Sequence, residues 1–194
     1  MAATSASNQS ITQLIINDHR LVENDFNLYQ STIDTKEKEQ IARRLIKAIS
    51  QHGAQEEMTV YPWMKERDPS MVKEIDEGIQ EHTKVKEDLL KLDSLKIDDR
   101  EFDATLQRVW ADLAPHIKEE ESVVLPALEK MATPQELVEL GKKYLSAKSI
   151  APSRPHPAAP TSGGIFTKMA NAGTTVLDKA RDAVSGRDAT VSGR

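Results

Sequence analysis

Apolar residues recur at steps of three and four along four stretches of the chain. The first reads Ile11, Ile15, His19, Val22, Phe26, Tyr29 and Ile33. The second reads Leu45, Ile49, His52, Glu56, Val60 and Trp63, and the third Ile75, Ile79, His82, Val85 and Leu89. The fourth reads Phe102, Leu106, Val109, Leu113, His116, Glu120, Val123 and Ala127. This is the spacing of one helix face turned to a core. It predicts helices from residue 11, from about 36 to beyond 60, over 71–92 and over 100–131. Pro62 should kink or end the second, and Pro115 and Pro126 should kink the fourth, because proline cannot donate to the preceding turn. Asp34-Thr35 supplies a cap for the second helix. Asp68-Pro69-Ser70 is a break, and residues 93–99 are a polar connection. Thr133-Pro134-Gln135-Glu136 combines an N-cap, a first-turn proline and a third-position acid, so a short fifth helix should run to about Tyr144. The connections are short, so neighbouring helices should be antiparallel in an all-α, up-down-up-down four-helix bundle.

The bundle repeats internally. His116, Glu120 and Pro126 follow His52, Glu56 and Pro62 at an offset of 64, and His82 and Val85 follow His19 and Val22 at an offset of 63. Asp18 and Glu81 precede the paired histidines. Each helical hairpin thus supplies one His from its first helix and a His-x3-Glu from its second. Residues i and i+4 stand one turn apart on a helix face, so each His-x3-Glu aims an imidazole and a carboxylate at one point. That point is the interior, since both members lie on the apolar seam. Carboxylates are almost never buried without a partner, and a pair of metal ions would satisfy this set. Glu57, Glu119 and Glu121 fall off the seam and are expected on the solvated face. The fifth histidine, His156, lies among prolines, and no role is expected for it.

Composition removes other classes. The chain has 194 residues, 38% hydrophobic and only 4% aromatic, enough for one domain and a tail. It has no cysteine, so neither disulfides nor thiolate metal sites are available to it. Residues 1–10 are polar, lack the apolar stretch of a secretory signal and are expected to be disordered. No apolar run approaches the ~20 residues of a membrane span, so a cytoplasmic protein is expected. Residues 146–194 carry seven Lys/Arg and three Asp, while residues 1–145 carry 19 basic and 28 acidic residues. So acidic a body is not a nucleic-acid binder, because neutralising phosphate dominates that binding. The composition divides the chain into a polar start at 1–10, the bundle at 11–145, a Pro/Ser/Gly linker at 146–164 and a tail at 165–194. The tail carries a weak amphipathic helix that could touch a membrane surface or a partner.

The order His, His-x3-Glu, His, His-x3-Glu over residues 11–131, with Tyr61-Pro62 and Leu125-Pro126 behind the two motifs, resembles the hemerythrin-like (HHE) cation-binding domain. Ferritin-like bundles place the acid first, as Glu-x-x-His, and the zincin His-Glu-x-x-His pattern is absent. The resemblance implies a non-heme di-iron centre. His19, His52, His82 and His116 would be terminal ligands, and Glu56 and Glu120 would bridge. Iron is the implied metal, with manganese and zinc as alternatives. Oxygen-carrying hemerythrins have a second His one turn after the third-helix His, where this chain has Lys86. Their last acid is an Asp five residues after its His, the place of Glu121 here, and Glu120 is preferred because it fits the repeat. Glu23, one turn after His19, is a candidate extra ligand. These departures point away from a dedicated oxygen carrier. The expected function is binding or sensing of dioxygen or iron rather than dedicated enzymology. The alternatives are a di-iron oxidase or a peroxide- or nitric-oxide-consuming enzyme, and an iron-stabilised interaction module.

Overall fold

A computed structural model describes residues 9–156 and Asp178. Its helices are α1 (Ile11–Ser31), α2 (Thr35–Arg67), α3 (Val72–Ser94), α4 (Phe102–Glu119), α5 (Leu125–Met131) and α6 (Pro134–Ala147). A 3-10 turn at Pro69–Met71 leads into α3, and a π turn at Glu120–Val124 joins α4 to α5. No strand occurs among the described residues, and the architecture is the expected all-α bundle. The starts follow local chemistry. Ser10 caps α1 by accepting from the Gln13 amide, and Asp34 caps α2 through the Glu37 amide. Thr133 and Glu136 form a reciprocal capping box at α6.

The core is split into two apolar plugs. One unites Val22, Phe26 and Tyr29 of α1 with Leu45 and Ile49 of α2, Val85 and Leu89 of α3, and Leu106, Val109 and Leu113 of α4. The other unites Ile11 and Ile15 of α1 with Val60 and Met64 of α2, Ile75 of α3, Leu125 and Leu128 of α5, and Leu140 and Tyr144 of α6. The late part of α1 therefore meets the early part of α2, the late part of α3 and the early part of α4, which is the antiparallel order. In α1, α2 and α3 the histidine falls between the residues given to the two plugs, and His116 follows Leu113 of one plug and precedes Leu125 of the other. The bundle thus places a polar layer between two apolar ones.

Three expectations about the seam are corrected. Ile33 lies past the end of α1, in the link to α2, and is 95% exposed. The fourth helix is not one α-helical rod to Met131. At Glu120–Val124 the backbone widens to bonds five residues apart, with the Leu125 amide donating to the Glu120 carbonyl. A π turn holds more residues per turn than an α turn, so the face beyond it advances by one position. Val123 is consequently 44% exposed and Val124 buried. Pro126, which cannot donate to the Ser122 carbonyl, follows directly. The second helix does run beyond residue 60 as expected, and of the two outcomes expected at Pro62 an end is not seen, since α2 continues to Arg67.

The expected linker begins differently from its composition. Ser146 and Ala147 still belong to α6, and Ala151 and Ser153 are buried. Arg154 donates to Asp93 of α3 at 2.7 Å, and its amide donates to Asp178. His156 Nε2 lies 3.1 Å from Asp178 Oδ1, so this histidine has a carboxylate partner that its neighbours in sequence did not suggest. Residues 1–8 of the expected disordered start, the remainder of the linker and, apart from Asp178, the tail helix expected at 165–194 lie outside the described residues.

The split core sets a contrast in stability. Leu106 is 1% exposed within one plug, so Leu106→Ala should cost ~2–5 kcal/mol. Ile33→Thr should change stability by no more than ~0.5 kcal/mol, although both residues belong to the sequence seam. Urea unfolding followed by circular dichroism checks both, and a loss at Ile33 comparable to that at Leu106 would refute the described end of α1.

Candidate metal centre

The four bundle histidines and two glutamates meet in the polar layer, each no more than 5% exposed. They form two overlapping groups of potential ligands. His19, His52, Glu56 and Glu120 make one, and Glu56, His82, His116 and Glu120 the other, with the ligand atoms of each group within 4.8 Å of one another. The two carboxylates are common to both. Glu23, the candidate extra ligand, instead accepts from Arg20 Nη1 at 2.8 Å and belongs to neither group.

The imidazoles meet through their Nε2 atoms. His19 Nε2 and His52 Nε2 are 3.1 Å apart, and His82 Nε2 and His116 Nε2 are 2.9 Å apart. The outward Nδ1 atoms decide what these contacts mean. His19 Nδ1 donates to Glu121 Oε1 at 2.8 Å, His82 Nδ1 to Glu57 Oε1 at 3.0 Å, and His116 Nδ1 to Glu81 Oε2 at 2.7 Å. His52 Nδ1 lies 2.9 Å from the Tyr144 hydroxyl, which itself donates to Asp18 Oδ2 at 2.8 Å. The hydroxyl oxygen therefore accepts from Nδ1. With a proton on each Nδ1, a neutral ring has only a lone pair at Nε2. Two lone pairs at 3 Å repel unless a cation, a proton or a metal ion, lies with them.

The supports form a closed ring around the bundle. Glu57 of α2 holds the histidine of α3, Glu81 of α3 holds that of α4, and Glu121, just after α4, holds that of α1. Asp18 of α1 completes the circuit to His52 of α2. This last link departs from the others. Aspartate is one methylene shorter than glutamate, and Asp18 Oδ2 stays 4.0 Å from His52 Nδ1. The Tyr144 hydroxyl of α6 fills the gap. Outside this ring, Lys86 Nζ donates to both Glu57 oxygens at 2.6 and 2.9 Å, and Arg20 Nη2 donates to Glu121 Oε2 at 2.6 Å. Gly53, beside His52, allows His82 to approach, since a Cβ there would stand 3.2 Å from His82 Nδ1.

The expectation that Glu57 and Glu121 lie on a solvated face is overturned. Glu57 is 4% exposed, and both acids hold a histidine in place. Their position five residues after a histidine was the available signal. It turns them sideways toward the neighbouring helix rather than inward. Nothing local in the sequence pointed to Tyr144, which acts across 92 residues.

The charges are uneven. Burial and the Glu120 carboxylate push Glu56 well above the usual carboxylate range, and neither Glu56 oxygen has a hydrogen-bond partner among the described residues. Burial would also raise Glu120, but hydrogen bonding and charge from His116 hold it well below that range. Tyr61 donates to its Oε1 at 2.6 Å. Burial lowers His52 and His82. Burial opposes charge on His116 too, yet the hydrogen bond and charge of Glu120, joined by Glu81, raise it to about 9. In the metal-free protein a proton on His116 thus serves as the cation between the facing rings of His82 and His116.

The model of the hemerythrin HHE cation binding domain matches residues 10–128. The chain belongs to this hemerythrin HHE family. An uncharacterized hemerythrin-like protein of Schizosaccharomyces pombe is 30% identical over 173 residues, which cover 89% of this chain and 85% of the relative. That alignment is longer than the 10–128 match, so the likeness to the yeast hemerythrin-like protein extends outside the family domain. No solved structure matches the chain. All six inward-facing ligand candidates lie within the HHE match, whereas Tyr144 lies beyond it.

Two outcomes are expected. Tyr144→Phe keeps the packed ring but removes the hydroxyl between Asp18 and His52. It should weaken metal binding about 10–100-fold while leaving the helical circular dichroism unchanged; unaltered affinity in a competition titration would deny the hydroxyl a role. The second concerns pH. A histidine raised from 6.5 to about 9 on folding stabilises the metal-free fold fully below pH 6.5, and that contribution disappears as pH rises through 9. The metal-free melting temperature should therefore fall across this window, while metal affinity rises as the competing proton leaves. Thermal melts and calorimetric titrations at several pH values test the pair, and a flat metal-free profile would contradict it.

Proposed function

We propose that this HHE protein holds two metal ions, with iron the leading metal. His19 and His52 serve one ion, His82 and His116 the other, and Glu56 and Glu120 bridge both. The observation that carries this reading is the pairing of facing Nε2 atoms with a fully buried Glu56 whose two oxygens have no hydrogen-bond partner among the described residues. Buried polar groups of native proteins are satisfied, and a cation at each group of ligands answers both deficits. The donors are imidazole and carboxylate without thiolate, a set that suits iron, with manganese and zinc as alternatives. Two shared anions also offset part of the repulsion between neighbouring dications.

The function that follows is binding or sensing of a small ligand, with dioxygen foremost. Iron, when bound, supplies the redox electrons and the affinity for small ligands. The protein supplies orientation and a dry setting. Glu57, Glu81, Glu121 and Tyr144 keep Nδ1 protonated and Nε2 turned inward. Tyr61, whose hydroxyl burial holds in its protonated form, fixes one oxygen of Glu120 and leaves the other to the centre. The two apolar plugs exclude water above and below. Four imidazoles and two shared carboxylates leave each ion short of six protein donors, so exchangeable positions remain.

Metal-free protein titrated with iron(II) under nitrogen should bind two ions per chain by elemental analysis. Glu56→Gln should bind fewer than two. A chain that takes up no iron, manganese or zinc, or a Glu56→Gln variant that retains the full complement, would refute the bridged centre. On exposure to air the iron(II) protein should oxidise, and degassing should not restore it. A coloured form that bleaches reversibly under vacuum would instead establish an oxygen carrier.

A further inference from the structure

A cavity of about 350 Å³ lies between α3 and the α4–α5 region. Its outer wall carries the exposed Glu77, Gln80 and Lys84, and its depth is formed by Tyr61, His116 and Glu120. It therefore connects the surface to His116 and the shared Glu120; His82 does not line it, and neither do His19 and His52. Those two are turned toward other covers: His19 is backed by Glu121 and Arg20, and His52 lies beneath Tyr144 of α6.

Gly78 sits where the cavity reaches the ligands. A Cβ there would stand 3.5 Å from the Tyr61 hydroxyl and 3.7 Å from His116 Cε1. A methyl group fits that space, and anything longer would extend over the imidazole. Glycine in the middle of a helix weakens it, and the packing here does not demand one. What glycine preserves is the opening.

We propose that exogenous ligands reach the His82/His116 half of the centre through this cavity, with Gly78 as the aperture, and that the passage admits small uncharged molecules in preference to anions. The charge around the wall supports the selectivity. Glu74, Glu77, Glu81 and Glu119 line the wall with a single lysine, Lys84, whose ammonium is already bound to Asp112 at 2.6 Å, while Lys73, outside the lining, pairs with Glu77 at 3.3 Å. An anion would cross a field of its own sign, while a neutral diatomic meets no such barrier. The inference rests on the metal reading above.

The test uses the full chain loaded with iron(II), with nitric oxide as the neutral probe and azide as the anionic one, both followed by stopped-flow absorbance. Gly78→Leu should slow nitric oxide association roughly tenfold or more with iron content unchanged, whereas Gly78→Ala should bind at about the original rate and melt at higher temperature. Glu77→Gln, a change at an exposed position, should speed azide association about two- to threefold at low ionic strength without altering that of nitric oxide. If the unaltered chain takes up no metal, the metal reading falls and this inference with it. If it loads and binds nitric oxide but the Gly78→Leu protein does so equally fast, or Glu77→Gln leaves azide unaffected, the centre stands and the passage alone is refuted. Should Gly78→Leu lose its iron, the Glu77→Gln comparison decides the matter by itself.

Discussion

Four imidazoles whose lone pairs converge inside an apolar bundle are unfavourable unless each ring is held from behind and given a cation in front. The rest of the molecule is arranged around those two requirements. The ring of acids from one helix to the histidine of the next meets the first. It fixes the tautomer of every ring, and because each link crosses between helices, it also ties the four helices into one unit. Removing a single acid would free one imidazole and loosen a helix–helix contact together. In the metal-free state a proton on His116, favoured by the neighbouring Glu120 and Glu81, meets the second requirement for the His82–His116 pair.

The two apolar plugs make the requirement strict. They supply the burial that drives the helices together, and they also close the layer between them to water from above and below. Charges in such a layer interact more strongly than they would in water, which is why Glu56 and Glu120, chemically alike, are shifted in opposite directions. The outer cations Lys86 and Arg20 matter for the same reason. They anchor Glu57 and Glu121 as anions at the border of the layer. The work of Lys86 is indirect, through Glu57 to His82.

The parts of this arrangement that follow from helical periodicity were legible in the sequence. Four seams, the antiparallel order and six inward-facing residues were readable because a histidine or glutamate on an apolar stripe is conspicuous. The supports were not. Glu57 and Glu121 lie off the stripe, and a position off the stripe reads as solvent unless the neighbouring helix is known to cover it. Tyr144 was legible only as the end of a capped helix, since its partner stands 92 residues away. The exposure of Val123 was hidden for another reason: a periodicity argument assumes one helical pitch, and the pitch changes at Glu120. Ile33 continued the stripe on paper past the residue where the backbone leaves the helix.

The wide turn at Glu120–Val124 makes the length of this segment as consequential as its composition. Beyond it lie Leu125 and Leu128, which close one apolar plug. Deleting one residue between 121 and 123 would restore ordinary α pitch and leave everything downstream facing the layer as before, because Val124 and Leu128 would then stand three and seven residues after Glu120. If the chain kept its length and the wide turn tightened to α pitch, Leu128 would instead be rotated by about 100° toward water, although no ligand had been altered. A relative one residue shorter here can therefore run as plain α-helix with its later apolar residues on the same face, whereas a relative of equal length has to keep the wide turn.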